Sequence, residues 1–136
     1  MKISCEVTPS SLSRFQSSLL MTVEKERAQA IAGMDAAAAH VFDDAQKLVP
    51  RQTNALANSG HITSEDGEVL LRRIIGYGTS LRNPETGKPT SSYAVYKHET
   101  AKEGHMEGYK WLERALLAYG REGFMTSLAE HLRMSF

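Results

Sequence analysis

The chain has 136 residues, of which 41% are hydrophobic, and this length and composition suit one compact domain with a buried core. Basic and acidic residues number 16 each, so the formal net charge is zero and the basic excess typical of dedicated nucleic-acid binders is missing. The single cysteine, Cys5, excludes an internal disulfide, and no stretch reaches the roughly 20 apolar residues that a membrane span needs. We therefore expect one domain over residues 1–136, of cytosolic origin, with no signal peptide and no membrane contact.

The N-terminal residues alternate between apolar and polar side chains. Ile3, Cys5 and Val7 are the apolar members, which predicts a short half-buried strand over residues 2–7 with the cysteine as a small buried side chain. The segment Thr8–Ser11 then stops the strand, because it offers N-cap hydroxyls and a proline at a position that tolerates proline at a helix start.

A long helical pattern follows. Apolar residues recur at steps close to the helical period over Leu12–Val49, and Pro50 ends the helix because it disfavours helical geometry in the residue before it. The pattern weakens at Glu26–Arg27 and again at Gly33, which predicts either one long bent helix or a short helix followed by a longer one. The alanines at 36–39 are strong helix formers whose small side chains let another element approach closely.

The middle of the chain predicts a connecting loop over residues 51–60, either irregular throughout or with one helical turn at Thr53–Leu56, and then a β-hairpin. Its strands are His61–Thr63 and Val69–Gly78, and the dipeptide Asp66–Gly67 is a strong hairpin-turn signal. The second strand contains Arg72 and Arg73, either of which could contact a phosphate. Adjacent strand residues face opposite sides, so only one of the pair can point at a ligand. Solvated arginines, or pairs with Glu65 and Glu68 across the hairpin, are the simpler explanation.

Residues 79–91 predict a long exposed loop, with turn formers and little to bury. Loops of this length in small domains are usually functional, or disordered until a partner binds. Pro84 and Pro89 limit the entropy lost when such a loop is ordered. A short apolar strand is predicted at Tyr93–Tyr96, followed by a turn at 104–108. A closing helix is then expected from about Tyr109, weakened by its two glycines, Gly120 and Gly123.

Two groups of potential metal ligands are His40, Asp43 and Asp44 on the long helix, and His98, Glu99 and His105 downstream. Neither has a compact zinc signature such as His-Glu-x-x-His. His40 and Asp44 are better explained as a surface pair four residues apart on a helix. A small metal-dependent hydrolase using the downstream group remains an alternative hypothesis, as does a DNA-binding module.

Two blocks of sequence together resemble one family. The first is Asp44–Pro50 followed by Thr53–Ser59, which resembles an Ala-rich helix closed by Val-Pro and then Thr-Gly-x-Leu-x-x-Ser. The second block comprises Gly76-Tyr77-Gly78, then Tyr93-Ala94-Val95-Tyr96-Lys97-His98-Glu99, then His105, Gly108 and Lys110-Trp111-Leu112-Glu113. Their order and spacing, over about residues 25–117, resemble those of tailed-bacteriophage minor capsid, neck and tail-completion (head–tail connector) proteins. Asn54 stands where that family usually has glycine, and asparagine also tolerates a left-handed backbone.

The resemblance implies an α+β subunit in which the long Ala-rich N-terminal helix and a C-terminal helix pack on a small antiparallel β-sheet. It also implies a structural virion protein at the head–tail junction, assembled in the host cytoplasm as a homo-oligomeric ring, a hexamer or dodecamer, with DNA passing non-specifically through its lumen. Its partners would be the connector or adaptor and the tail terminator or tail tube, and a tail terminator ring is the alternative station. We expect no enzymatic activity and no cofactor or bound metal.

The residues that we single out from these blocks and from the 79–91 loop are candidates for a structural motif or a subunit interface. Aromatic packing and hydrogen bonds that cap the next element are their simplest role, and direct contact between subunits is the alternative. The loop itself is a natural extension to reach a neighbouring subunit. The candidates are Tyr93, Tyr96, His98, Glu99, Pro84 and Pro89.

Overall fold

The computed structural model of the chain describes Ser4, residues 8–100 and residues 108–133. The strand predicted over residues 2–7, with Cys5, and most of the turn predicted at 104–108 lie outside these described residues. In chain order the elements are α1 (Pro9–Leu48), α2 (Ala55–Asn58), β1 (His61–Asp66), β2 (Leu71–Gly76), a 3-10 turn (Thr90–Ser92), α3 (Ala94–Glu99) and α4 (Trp111–Arg133). The fold is mixed α+β, with two long helices and a small antiparallel sheet, as expected.

Helix α1 is one continuous helix of 40 residues, about 60 Å long at 1.5 Å per residue. At its start the Thr8 hydroxyl accepts a hydrogen bond of 3.2 Å from the backbone N–H of Ser11, and Pro9 occupies the first turn. At its end Val49 has an extended backbone, as expected of a residue before proline. Both predicted ends are therefore confirmed, and the weak points do not divide the helix.

The hairpin pairs β1 with β2 in antiparallel register, from His61 opposite Gly76 to Asp66 opposite Leu71. Both predicted strands are present, but their ends differ from the prediction. β1 continues through Asp66, and β2 covers Leu71–Gly76 and not Val69–Gly78, so the turn comes later than the Asp66–Gly67 dipeptide suggested. The N–H of Gly67 closes it with a hydrogen bond of 2.9 Å to the carbonyl of Leu70.

The strand predicted at Tyr93–Tyr96 is wrong, because these residues begin helix α3. Ala94 is buried while Val95 and Tyr96 are exposed, and His98, four residues after Ala94, is half-buried again. This burial has a helical period, whereas a four-residue apolar run alone does not distinguish a strand from a helix. Packing against the rest of the protein determines that this segment is helical.

Helix α4 runs antiparallel to α1 and packs along the C-terminal half of α1. Its first residue, Trp111, contacts the core near Val49, and towards its other end the Ser127 hydroxyl donates a 3.1 Å hydrogen bond to the carbonyl of Gly33. Between these points Gly120 has φ 65° and ψ 180°, and its left-handed backbone divides α4 by a kink. The weak point predicted at this glycine is confirmed.

The core is small and lies where α1, α2, α3 and α4 meet. Its buried side chains are mostly small, with one very large exception, Trp111, which is 1% exposed. Half-buried residues such as Ile75 and Tyr77 pack on it from the hairpin side. The buried cluster comprises Val41, Ala45, Val49, Leu56, Ala57, Ala94, Trp111 and Ala115.

Arg73 joins the hairpin to α1. Its side chain is only 5% exposed, and its guanidinium donates hydrogen bonds to Asp35 on α1 and to Asp66 on β1. These two carboxylates hold the pKa of Arg73 above its ordinary value, the hydrogen bond to Asp66 being the larger cause. Arg72 faces the other way, is 51% exposed and pairs with Glu65 at 3.3 Å, as the hairpin pattern indicated.

The two adjacent arginines provide a matched test of this junction. Arg73→Ala should lower the free energy of unfolding by about 2 kcal/mol, since it removes charge-assisted hydrogen bonds and leaves Asp35 and Asp66 without their shared donor. Arg72→Ala should cost only about 0.5 kcal/mol, because exposed ion pairs contribute little. Urea unfolding followed by circular dichroism measures both values. Equal losses of unfolding free energy in the two variants would contradict the role of Arg73 in joining the hairpin to α1.

Candidate functional site

The second sequence block forms a packed unit around Trp111. The edge of the His98 ring meets the indole with 4.8 Å between centroids at 80°, and the Tyr77 ring does the same at 5.5 Å and 87°. Such edge-to-face geometry is favourable for aromatic pairs. Burial raises the pKa of Tyr77 to about 12, since its phenolate would be poorly solvated. The residues of this block are therefore neighbours in the fold, and they contact one another by aromatic packing.

His98 and Glu99 link α3 to the first turn of α4. His98 Nδ1 donates to a Glu99 carboxylate oxygen at 2.6 Å, and His98 Nε2 accepts a longer bond, 3.4 Å, from the N–H of Glu113. The main chain adds a bond of 2.8 Å from the N–H of Lys110 to the carbonyl of His98. The His98 ring thus lies over the first turn of α4, where the sequence suggested a capping contact. The hydrogen bond from His98 lowers the pKa of Glu99, and Lys110 lowers it further.

Of the other singled-out residues, Tyr93 is half-buried at the edge of the core and Tyr96 is exposed. Pro84 is exposed in the 79–91 loop, and Pro89 is half-buried where that loop rejoins the core. The structure does not bring the two prolines to the His98–Glu99 pair. A contact of any of these residues with another subunit stays a prediction.

The 79–91 loop is exposed over most of its length but is anchored by one residue that the sequence reasoning missed. Thr90 is completely buried, and its hydroxyl accepts from the N–H of Thr79 at 2.8 Å and donates to the carbonyl of Thr79 at 3.1 Å. Arg82 and Pro89 form an antiparallel bridge further out. The expectation of little to bury was wrong at Thr90, because a threonine among turn formers gives no sequence sign of burial.

The first sequence block meets the second at two points. The Ser59 hydroxyl accepts a hydrogen bond of 2.9 Å from the N–H of Gly78. Gly108, at φ 73°, lies so close to Pro50 that a Cβ there would overlap the proline ring. Asn54 has φ 60°, the left-handed conformation expected where the family has glycine. The segments that carry the resemblance thus form one continuous structural unit.

The described members of the two groups of potential metal ligands do not form a metal site. Within the described residues, no three His, Cys, Asp or Glu side chains lie close enough to hold a metal ion. His40 contacts Asp44 at 3.2 Å, which is the predicted surface pair, and Lys47 also bonds to Asp44. The hydrogen bond from Lys47 lowers the pKa of Asp44. His105 lies outside the described residues.

The feature that sequence reasoning missed is the N-terminal arm, which we define as residues Pro9–Lys25 of α1. Every residue of the arm is exposed, although it carries an apolar stripe at helical spacing. The missing signal was one of length: α1 has 40 residues, and the described part of its partner α4 has only 23. The stripe consists of Leu12, Phe15, Leu19 and Val23, which are 47%, 65%, 52% and 57% exposed.

A second apolar surface, the α1–α4 groove, lies where α4 kinks. It is open to solvent, has a volume of about 420 Å³, and is bounded by α1, β2 and α4. Its floor includes Ala37 and Ala38 of the alanine run, and its rim includes Leu116 and Leu117, which are exposed. The small side chains predicted to permit close approach thus form part of an open groove.

The anchor of the 79–91 loop can be tested with Thr90→Val, which keeps the shape of the side chain and removes the hydroxyl. The N–H of Thr79 would lose its partner in a half-buried site, while the carbonyl of Thr79 would keep only its hydrogen bond from the N–H of Ser91. We therefore expect the free energy of unfolding to fall by about 1–3 kcal/mol. Thr86→Val, at the exposed end of the same loop, should change it by no more than about 0.5 kcal/mol. Chemical unfolding measures the free energy of unfolding of both variants. If Thr90→Val were as stable as wild type, Thr90 would not anchor the loop.

The link between α3 and α4 should show in the pH dependence of stability. Because the pKa of Glu99 is lowered in the folded protein, its carboxylate stabilises the fold above its ordinary pKa of 4.5, and this stabilisation is lost as the pH falls through the lowered value. Glu99→Gln should therefore melt below wild type at pH 6, and the gap should close on acidification below 4.5. Glu122→Gln, on the exposed side of α4, controls for the change in net charge. A constant gap across this range would contradict the link.

Within the described residues, no helix is long and apolar enough to cross a membrane. The chain matches no protein-family model, no curated protein and no solved structure. Its function must therefore be inferred from its own residues and contacts, together with the resemblance of its two sequence blocks.

Proposed function

We propose that this chain is a structural subunit of a homo-oligomeric ring at the head–tail junction of a tailed bacteriophage, a neck or tail-completion protein. The observation that carries the proposal is the N-terminal arm: 17 consecutive helical residues, Pro9–Lys25, that are all exposed in the described subunit and carry an apolar stripe. The resemblance of the two sequence blocks supplies the class of assembly.

The arm needs a protein partner for two physical reasons. Contiguous exposed apolar patches on monomeric proteins are usually interaction sites. In addition, a helical segment of about this length is only marginally stable in water without packing, and this one contains five serines, which are weaker helix formers than alanine. An arm of this composition is therefore a part of the subunit whose helix is stabilised on assembly.

The packed unit around Trp111 supports the same class. The segments that carry the resemblance contact one another through packing, through the Ser59–Gly78 hydrogen bond and through the approach of Gly108 to Pro50. They build a rigid body from which the arm extends by about 25 Å. A rigid body with a projecting apolar helix suits a protein whose task is to join copies of itself.

The charge balance fits a ring around DNA. Every phosphate that a protein neutralises adds affinity, so a lumen with a large basic excess would retain DNA that must pass through it. The chain has no such excess, with 16 basic and 16 acidic residues. A tail terminator ring, the alternative, would likewise need a lumen without a large basic excess. A neck ring and a tail terminator ring differ in whether they bind the portal side or the tail tube.

The proposal is tested by the mass and shape of the purified protein, alone and mixed with the portal or tail-tube proteins of its phage. We expect light scattering to give about six or twelve times the subunit mass of 15.1 kDa, and negative-stain electron microscopy to show a closed ring with a central opening. The mixture that produces the ring identifies its station. A subunit that stays monomeric with every virion protein would contradict the proposal.

A further inference from the structure

Two unpartnered apolar surfaces lie on the same subunit, the stripe of the N-terminal arm and the α1–α4 groove. The stripe continues the face of α1 that is buried further along, because Val23 is followed at helical spacing by Ala30, Met34 and Val41. In the second half of α1 that face is covered by α4. Along the arm, α4 is absent, and the face is open to solvent.

The arm cannot reach the groove of its own subunit. Both belong to one continuous helix, and the groove begins at Met34 while the stripe ends at Val23. Eleven residues of helix hold these points about 16 Å apart. If the arm fills an α1–α4 groove, that groove belongs to another copy of the chain.

We propose that the N-terminal arm of one subunit inserts its apolar stripe into the α1–α4 groove of the neighbouring subunit, and that this contact closes the ring. The inference rests on the proposed function, because a cyclic ring is built from head-to-tail contacts between two different surfaces of the same chain. An arm-to-groove contact repeated around the ring covers both apolar surfaces of every subunit, whereas pairing two arms leaves every groove open.

The size of the contact can be estimated from the arm. Half of the lateral surface of a helix of this length is about 400 Å². One arm-to-groove contact therefore buries about 400 Å² on each partner, about half of a standard stable interface. A closed ring doubles the buried area to about 800 Å² per subunit, because every subunit contributes one arm and one groove. The groove volume of about 420 Å³ has room for several large side chains.

The charges are compatible with this occupant. Between Pro9 and Val23 the only charged residue is Arg14, and the helical period places it on the face opposite the stripe. The groove is lined mainly by apolar side chains, together with two arginines. Arg73 is already bonded to Asp35 and Asp66, and Arg121 is exposed on α4, so its long side chain can keep the guanidinium in water. Insertion of the stripe therefore does not require an unpaired charge to be buried.

The test uses single aspartate substitutions in the full-length protein, under the conditions in which wild type assembles. Leu19→Asp disables the arm and Leu117→Asp disables the rim of the groove. Both positions are exposed in the subunit, so the variants should melt at the wild-type temperature at protein concentrations where wild type is monomeric. Two further exposed apolar residues supply matched controls: Met21→Asp lies on the face of the arm opposite the stripe, and Val95→Asp lies on α3, outside both surfaces.

We expect the two control variants to keep the wild-type mass by light scattering and the two disabled variants each to be monomeric. A one-to-one mixture of Leu19→Asp and Leu117→Asp should form heterodimers and nothing larger, because only one functional arm and one functional groove remain to meet. This outcome is specific to a head-to-tail contact.

Other outcomes separate this inference from the proposed ring. If Leu117→Asp alone keeps the wild-type ring, or if the mixture stays monomeric, the arm contacts another arm or another protein, and the inference fails while the ring stands. Open filaments that both disabled variants abolish would overturn the ring and keep the contact. A wild type that never assembles overturns both.

Discussion

The fold depends on the burial of one indole, that of Trp111. Because this side chain is so large, the helix opposite it contributes small residues such as Ala45, and the hairpin and α3 meet it with the rings of Tyr77 and His98. Its Nε1 has no hydrogen-bond partner among the described residues, which costs roughly 1–3 kcal/mol. Packing outweighs that cost, since truncating a buried tryptophan typically loses about 3–5 kcal/mol. Each element is thus positioned relative to one side chain.

The difference in length between α1 and α4 determines which apolar surfaces of the chain stay exposed. The apolar stripe of α1 has the same period and the same face from Leu12 to Leu48, yet α4 begins at Trp111 beside the end of α1 and its described part is 17 residues shorter. The kink at Gly120 also turns α4 relative to α1 at the groove. One helix pair therefore produces both the closed core and the two open apolar surfaces.

The parts of the fold that local chemistry determines could be predicted from the sequence. Thr8 and Pro50 mark the ends of α1 because capping and proline sterics act within a few residues, and Asn54 takes the left-handed backbone that its place in the sequence block indicated. Tyr93–Tyr96 and the arm could not be predicted in this way. Whether a short apolar run is a strand, or an apolar stripe is buried, depends on which distant element packs on it. The periodicity of apolar residues shows which face of a helix or strand is apolar, but it does not show which other element covers that face.

Charged residues and open apolar surfaces lie mostly in different places on the chain, and the apolar surfaces are the ones that we propose for assembly. Among the described residues, ion pairs join one element of the chain to another. Arg73 joins the hairpin to α1, and Lys110, just before α4, bonds to Glu113 in the first turn of α4 and lies near Glu99 of α3. The stripe of the arm is apolar, and the charged residues that line the groove are Arg73, which is already paired, and Arg121, which is exposed. Association through these surfaces would be driven by removal of apolar area from water, which salt screens far less than it screens contacts between charges. In a ring built in this way, the contacts between subunits would persist when the salt concentration around the packaged DNA changes. The ion pairs of the charged residues would stabilise the fold of each subunit and would not be needed for the contacts between subunits.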